Sequence, residues 1–450
     1  MDILKETLPN FVEIFKIAGL IIFKYYGWVL FVWVIIYIMW KKYFGEIQHQ
    51  FIHNQEWEFL QLRVPKENKA STLAVESIFA QMHSLHTGPT FAQKYIEGKG
   101  QLWYSLELVS LGGKIAYIIR IPKKMRQVVE ASFYAQYPEI EILEVNDYME
   151  NFNYDPEKDE HLEIWGTEVL MSDDWALPIR TYRDFEHPTA EDKIIDPLSP
   201  TFEVLSLIKP HEFLGIQIII SPIGDSDWMP HSESKVKELI GEEAAHEPTF
   251  TGTLLKPVEA FSSMSYRSLV LGGGHGRGGH GEEEGAQKNN WMQMTETQKE
   301  RVTLIEKKAS KPAYKTKIRW LYISPKESFD KSKQSLLPGA YRHFSNMQSN
   351  KLKPDTKKTW TSAEYMFSET LEKPYLQKVV NTKKRNIFKG YKNRDIHIGR
   401  PMFVMNIEEI ATLYHFPITT ETSPIPAAID RVESKKSQAP SNLPIADIEE

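Results

Sequence analysis

With 450 residues, 41% apolar and 25% charged, the chain has the composition of a folded protein and is too long for one ordinary core, so two or three compact units are expected. It contains no cysteine, which excludes disulfides, thiolate-bound zinc, iron–sulfur clusters and a thiol nucleophile. The net charge of -6 hides an asymmetry, since residues 305–400 hold 23 Lys/Arg against 8 Asp/Glu.

After a tail over 1–16, "IAGLIIFKYYGWVLFVWVIIYIMWKK" predicts a transmembrane helix over 17–42. Its apolar stretch at about 1.5 Å per residue reaches roughly 36 Å, enough for a hydrocarbon core of about 30 Å. Lys24 can snorkel, and Tyr25, Tyr26, Trp28, Trp33, Tyr37 and Trp40 supply interface anchors. A buried core helix is the alternative, but the stretch lacks a polar face. Asp2, Glu6 and Glu13 precede it and "WKKYFGE" lacks a small-residue cleavage site, so it reads as an uncleaved anchor. Lys5, Lys16 and Lys24 nearly balance Lys41 and Lys42 across it, so charge alone leaves the orientation open.

Residues 55–150 alternate strand and helix patterns. "WEFLQLRVP" reads as a strand and "STLAVESIFAQMHSLH" as a helix with Val75, Ile78, Phe79, Met82 and Leu85 on one face. "LWYSLELVSL" and "KIAYIIRIP" read as a hairpin through Gly112-Gly113. "KKMRQVVEASFYAQYP" as a helix and "EIEILEV" as a strand complete a βαββαβ order, the ferredoxin-like plan. A second α+β sheet domain is expected from residues 160–241 and 291–350. Its strands are "LEIWGTEVLM", "LPIRTYRDF", "EFLGIQIIISPI" and "AYKTKIRWLYIS"; its helices are "PTFEVLSLI", "HSESKVKELIGE", "TETQKERVTLIEKKAS" and "KSKQSLLPGAYRHFSNM". The fold class is therefore α+β, behind one membrane helix.

Residues 242–290 interrupt the second domain with "LGGGHGRGGHGEEEG", too glycine-rich to offset the entropy of ordering, and read as a mobile loop. His275 and His280 lie there without a preorganised geometry for metal. Residues 351–417 form a basic helical region, and 418–450 read as a disordered Pro-rich tail. Within the former, "FVMNIEEIATLYHFP" predicts a helix whose cap Asn406 and Glu409 form a reciprocal capping box, with Ile407, Ile410, Ala411 and Tyr414 at helical spacing.

No motif for catalysis emerges. The only Gly-Lys pairs, Gly98-Lys99 and Gly113-Lys114, are not followed by Ser or Thr, so no P-loop is encoded. His211 and His246 each begin an H-E pair without the second His a metalloprotease helix needs. Asp225 and Asp227 could share a divalent cation, although such residues more often cap a helix. No catalytic, cofactor-binding or metal-binding residue is therefore assigned, and no enzyme is expected. In "NTKKRNIFKGYKNRDIHIGR", Lys383, Lys384, Arg385, Lys389, Lys392, Arg394 and Arg400 interleave with Phe388 and Tyr391, the mixture that neutralises phosphates and stacks on bases. Lipid headgroups, acidic protein or solvent would suit the same residues.

"WEFLQLRVPKENKASTLAVESIFAQMHSLH", "YSLELVSLGGKIAYIIRIPKKMRQVVEASFYAQYPEIEI" and "MNIEEIATLYHFP" together resemble the membrane-anchored N-terminal region of bacterial conjugation and type IV secretion ATPases of the coupling-protein, HerA-like group. The likeness extends over nearly the whole chain. In that family the last phrase leads through a Pro-rich connector into the motor domain. Here the connector-like "PIPAAIDRVESKKSQAPSNLPI" is present and the Walker A loop is not. The resemblance implies a single-pass inner-membrane protein with its large domain in the cytoplasm, acting as a scaffold or docking subunit of a type IV secretion or conjugative DNA-transfer apparatus. Its expected partners are the lipid bilayer and a separate motor ATPase or other apparatus protein; self-association stays open, and no cofactor is implied. The alternative is a membrane-tethered nucleic-acid-binding protein using the basic C-terminal third.

Overall fold

The computed structural model describes residues 28–29, 31–64, 68, 70–86, 88–185, 196–241, 294–362, 369–418 and 428–431, with only the backbone for 369–375. The expected tail over 1–16 and the whole Gly-rich insertion over 242–290, with His246, His275 and His280, lie outside these residues. Two compact units are present, one formed by 1–56 with 87–102 and one by the remainder.

In the first unit, helix α1 runs over 31–53. Of the expected membrane helix over 17–42, residues 28–29 and 31–42 are described and helical; among the described residues, no helix is long and apolar enough to cross a membrane. The ten residues from Phe31 to Trp40 are nevertheless each 40–68% exposed, on every side of the helix.

The second unit is α+β. Its strands are β1 (Trp57–Arg63), β2 (Tyr104–Leu111), β3 (Lys114–Pro122), β4 (Glu141–Val145), β5 (Leu162–Met171), β6 (Phe213–Ile223), β7 (Ala313–Pro325), β8 (Leu352–Pro354) and β9 (Phe403–Asn406). They form one sheet in the order β4-β1-β3-β2-β6-β7-β5-β8, with β9 beside β7, and every named pair is antiparallel. Separate sheets for 55–150 and for 160–241 with 291–350 are thus corrected to a single one, joined where Tyr104–Leu111 pairs with Ile220–Phe213. The reason lies in those two strands. All eleven residues of β6 and seven of eight in β2 are buried, and as two free edges they would leave long apolar strands unpaired.

The order also reveals an internal two-fold relation. Reading outward from the β2–β6 seam, β2-β3-β1-β4 and β6-β7-β5-β8 place corresponding strands in the same sequence. The β2–β3 hairpin turns in two residues, with φ +58° at Gly112 and +84° at Gly113. Its counterpart β6–β7 pairs across the long insertion, Phe213 to Ile323 through Ile223 to Ala313. Gly113→Ala should lower stability by about 1–2 kcal/mol, because φ there is positive and a Cβ would sit 2.9 Å from the Ile208 carbonyl oxygen. A denaturation midpoint equal to wild type would contradict this.

Helices cover both faces. On one lie α2 (Thr72–His83), α4 (Arg126–Gln136), α5 (Ser199–Ser206) and α10 (Ile407–Leu413). The first unit contributes α3 (Phe91–Tyr95). Tyr314 donates to the Phe79 carbonyl at 2.7 Å, Ser110 to Leu205 at 2.6 Å and Tyr117 to His415 at 2.8 Å, tying sheet to helices. Further along the chain come α6 (Asp225–Ile240), α7 (Glu296–Ala309) and α8 (Leu336–Ala340). On the opposite face α9 (Glu369–Lys392) packs Ile387, Phe388 and Tyr391 against Val109, Ile118, Ile164, Phe213, Leu321 and Ile323.

Some local expectations are corrected. Residues 177–185 are not a strand, because their N–H groups bond elsewhere: Ile179 to the Glu409 carboxylate, Arg180 to the Phe344 carbonyl and Tyr182 to the Thr412 hydroxyl. Residues 331–347 form short 3-10 and α turns rather than one helix, with Pro338 and Gly339 in their middle. The basic helical region 351–417 also contains β8 and β9. Within the tail expected to be disordered, Ile429 is 3% exposed and bridges Ile115, while Gln61 and Arg63 bond Asp430 at 2.7 and 3.2 Å. It fills the side of β3 that lies past the end of the β1 pairing.

Candidate functional site

The seven basic candidates lie on the last turns of α9 and the loop after it, where the chain returns over the sheet. A charged seam runs beneath. Glu107 of β2, 0% exposed, accepts from Arg394 Nε at 2.9 Å and Nη2 at 3.1 Å. Ser105 donates to it at 2.6 Å, Tyr148 at 2.7 Å and the Gln217 amide at 3.0 Å. Arg394 also meets Asp147 at 2.5 Å, and Trp103 Nε1 donates to the Arg394 carbonyl at 3.0 Å, holding a residue whose φ is +53°. Burial by itself would raise the Glu107 pKa; the Arg394 charge and hydrogen bonds from Arg394, Ser105 and Tyr148 outweigh it and hold the carboxyl below its ordinary value.

On β7, Arg319 Nε bonds Glu168 at 3.0 Å while its other nitrogens donate to the carbonyls of Gly390, Asp395 and Ile398 at 2.6–2.8 Å. Lys317 donates to Ile396 and Ile398 at 2.6 and 2.8 Å, and burial pushes its ammonium down to about 8 against the pull of Glu168. The Gly390 carbonyl belongs to the last turn of α9, where the helix dipole favours cations, and the other acceptors lie in the loop that follows. Glu168 further accepts the Arg400 N–H at 2.5 Å, and Gly399, at φ +98°, has no room for a Cβ beside that carboxylate.

The seven candidates therefore share one region but not one surface. Arg394 is 1% exposed. Arg400 pairs with Asp355 at 2.8 and 3.0 Å, Lys384 with Glu163, and Arg385 with Asp155 and Glu157 at 3.4 and 3.3 Å. Lys392 donates to the Phe152 carbonyl at 2.7 Å and Lys383 to that of Lys357 at 3.1 Å. Lys389 is exposed. Phe388 and Tyr391, the rings expected to stack on bases, are 6% and 0% exposed.

Beside Glu168 opens a cavity of about 150 Å3, bordered by Lys358, Lys383, Asn386, Thr359 and Gly399. Two ammonium groups and a carboxamide suit a small anion, and Glu168 is already met by Arg319 and the Arg400 amide. Asp225 and Asp227 stand exposed in the first turn of α6, where carboxylates complement the helix N-terminus. His211 sits in a turn at φ +71°. Among the described residues no three His, Asp or Glu side chains converge as a metal-holding group. The seam was missed in the sequence although a signal existed. Glu107 is the one charged residue of β2, and Glu168, Lys317 and Arg319 each stand between uncharged neighbours in β5 and β7; a charge in a buried strand calls for a partner. Comparison with protein-family models and with curated proteins found no match.

Proposed function

We propose that the chain is a non-enzymatic, membrane-tethered scaffold whose large antiparallel sheet serves as a docking platform for a separate motor ATPase in a type IV secretion or conjugative apparatus. The observation that carries the tether is the run of ten exposed apolar residues from Phe31 to Trp40. Left in water, at roughly 1.5–3 kcal/mol per large side chain, they would forfeit more than the whole stability of a typical domain, about 5–15 kcal/mol. Lipid accommodates such a helix at no such cost. A platform is supported by a sheet whose buried charges are paired with each other or with backbone carbonyls, an arrangement suited to holding a shape. The coupling-protein assignment and the cytoplasmic placement rest on the sequence likeness.

The full chain is expected in the membrane pellet, resistant to alkaline extraction, with Ile35→Asp/Ile36→Asp releasing it. A wild-type chain that stays in the aqueous fraction without detergent would sink the tether. The purified chain should not hydrolyse ATP alone, and an ATPase should co-purify with it from detergent extracts. Binding of a labelled DNA strand that weakens steeply with salt would favour the nucleic-acid alternative instead.

A further inference from the structure

We infer that residues 88–102, the excursion between α2 and β2, form a second membrane-contacting element that lies at headgroup depth and takes anionic phospholipid as its ligand. This rests on the membrane reading of α1 above. The excursion belongs to the same compact unit as α1 and is separate from the sheet unit. It folds because Thr90 and Gln93 form a capping box that starts α3.

It touches α1 along one stripe. The Tyr95 ring lies 6.3 Å from Trp40 and 5.2 Å from Phe44. Gly98, at φ +66°, packs so closely on Ile47 that a Cβ would come within 2.3 Å of its Cγ2. Positions 40, 44 and 47 share one helix face. Protein cover on α1 therefore begins at Trp40, where the run of all-round exposed apolar residues ends. That is the level at which a membrane helix leaves the hydrocarbon and where Trp and Tyr rings concentrate.

At this level the excursion turns further apolar groups outward. Phe91 is 59% and Ile96 68% exposed, alongside Tyr43 at 54%. The Phe91 ring lies 4.6 Å from that of Tyr95, tilted by 43°, and the Lys94 ammonium sits 5.4 Å from the Tyr95 ring. Lys41, Lys42 and Lys94 are exposed; of the acidic side chains in 41–53 and 88–102, Glu97 is tied to Lys99 at 2.8 Å and Glu46 accepts from Gln50. Exposed rings bordered by cations match an interface whose lipids are apolar inside and negative at the headgroup.

The cysteine-free chain permits single-site labelling. Ile96→Cys, Ile36→Cys in α1 and Met347→Cys on the sheet unit, each carrying a fluorophore, would be reconstituted as full chains into phosphatidylcholine vesicles containing a minority of phosphatidylglycerol. Quenching by shallow and deep doxyl lipids and by aqueous iodide reads the depth. Expected is several-fold stronger quenching of the Ile96 label by the shallow lipid than of the Met347 label, deep-lipid quenching at Ile36, and reduced Ile96 quenching without phosphatidylglycerol. An Ile96 label as open to iodide as Met347, with Ile36 still in lipid, overturns the second contact and leaves the tether standing. Ile36 in water overturns the tether and the second contact together. An Ile96 label shielded from both iodide and doxyl lipid assigns this face to protein and overturns the lipid proposal.

Discussion

Arg394→Leu is expected to destabilise the sheet unit by about 3–5 kcal/mol, the usual loss when one partner of a buried ion pair is removed. The side chains of Arg394 and Glu107 are 1% and 0% exposed. Three neutral donors, Ser105, Tyr148 and Gln217, remain around a buried carboxylate. Acid titration separates this from a mere packing defect. In the wild type the Glu107 pKa is lowered, so the stability it contributes is present above the ordinary carboxylate range and is lost as pH falls through the depressed value. Without Arg394, burial dominates and raises that pKa above its unfolded value. The carboxyl's contribution is then present at low pH and lost as pH rises, so the Glu107 contribution reverses sign. Urea midpoints of the variant from about pH 4 to 7, compared with Arg394→Leu/Glu107→Gln, measure it. The double variant should recover part of the loss and lack that pH slope; a single variant with the wild-type midpoint would refute the role assigned to Arg394.

Glu409→Ala should cost a comparable amount, about 3–5 kcal/mol, because one carboxylate serves three groups at once. It accepts the Asn406 N–H at 2.9 Å in the α10 capping box and the Ile179 N–H at 3.0 Å, and it pairs with Lys308 at 2.9 Å. Both charged side chains are 0% exposed, and burial lowers the Lys308 pKa even with Glu409 beside it. Without the carboxylate the ammonium keeps only the carbonyls of Trp175 and Val404. Glu409→Gln retains one acceptor oxygen but no charge and should fall between wild type and alanine. Hydrogen exchange adds a local readout. The Ile179 and Asn406 amides should lose protection in Glu409→Ala, and unchanged protection at both would contradict this bonding scheme.

The C-terminal helix illustrates how far local pattern reaches. Asn406, Glu409 and the apolar spacing up to Tyr414 are a few residues apart, and the capping box expected there is present. The same carboxylate's partners at Ile179 and Lys308 could not be read from that pattern, since they lie 230 and 101 positions away. The Gly112-Gly113 turn was legible for a similar reason, as two adjacent residues needing positive φ specify it whatever surrounds them. Residues 88–102 went unread because five helical residues carry too little periodicity to stand out.

Helix stripes, turns and caps were thus written into neighbouring residues, where sterics and hydrogen bonding act over a few positions. The union of β2 with β6 and the fate of the basic stretch depended instead on chain segments brought together from far apart. Arg394 reads as one more surface cation among seven until the fold sets it beside Glu107, 287 positions distant. Whether a charge meets water, a phosphate or a buried carboxylate is a matter of desolvation and geometry, and a window of sequence contains neither.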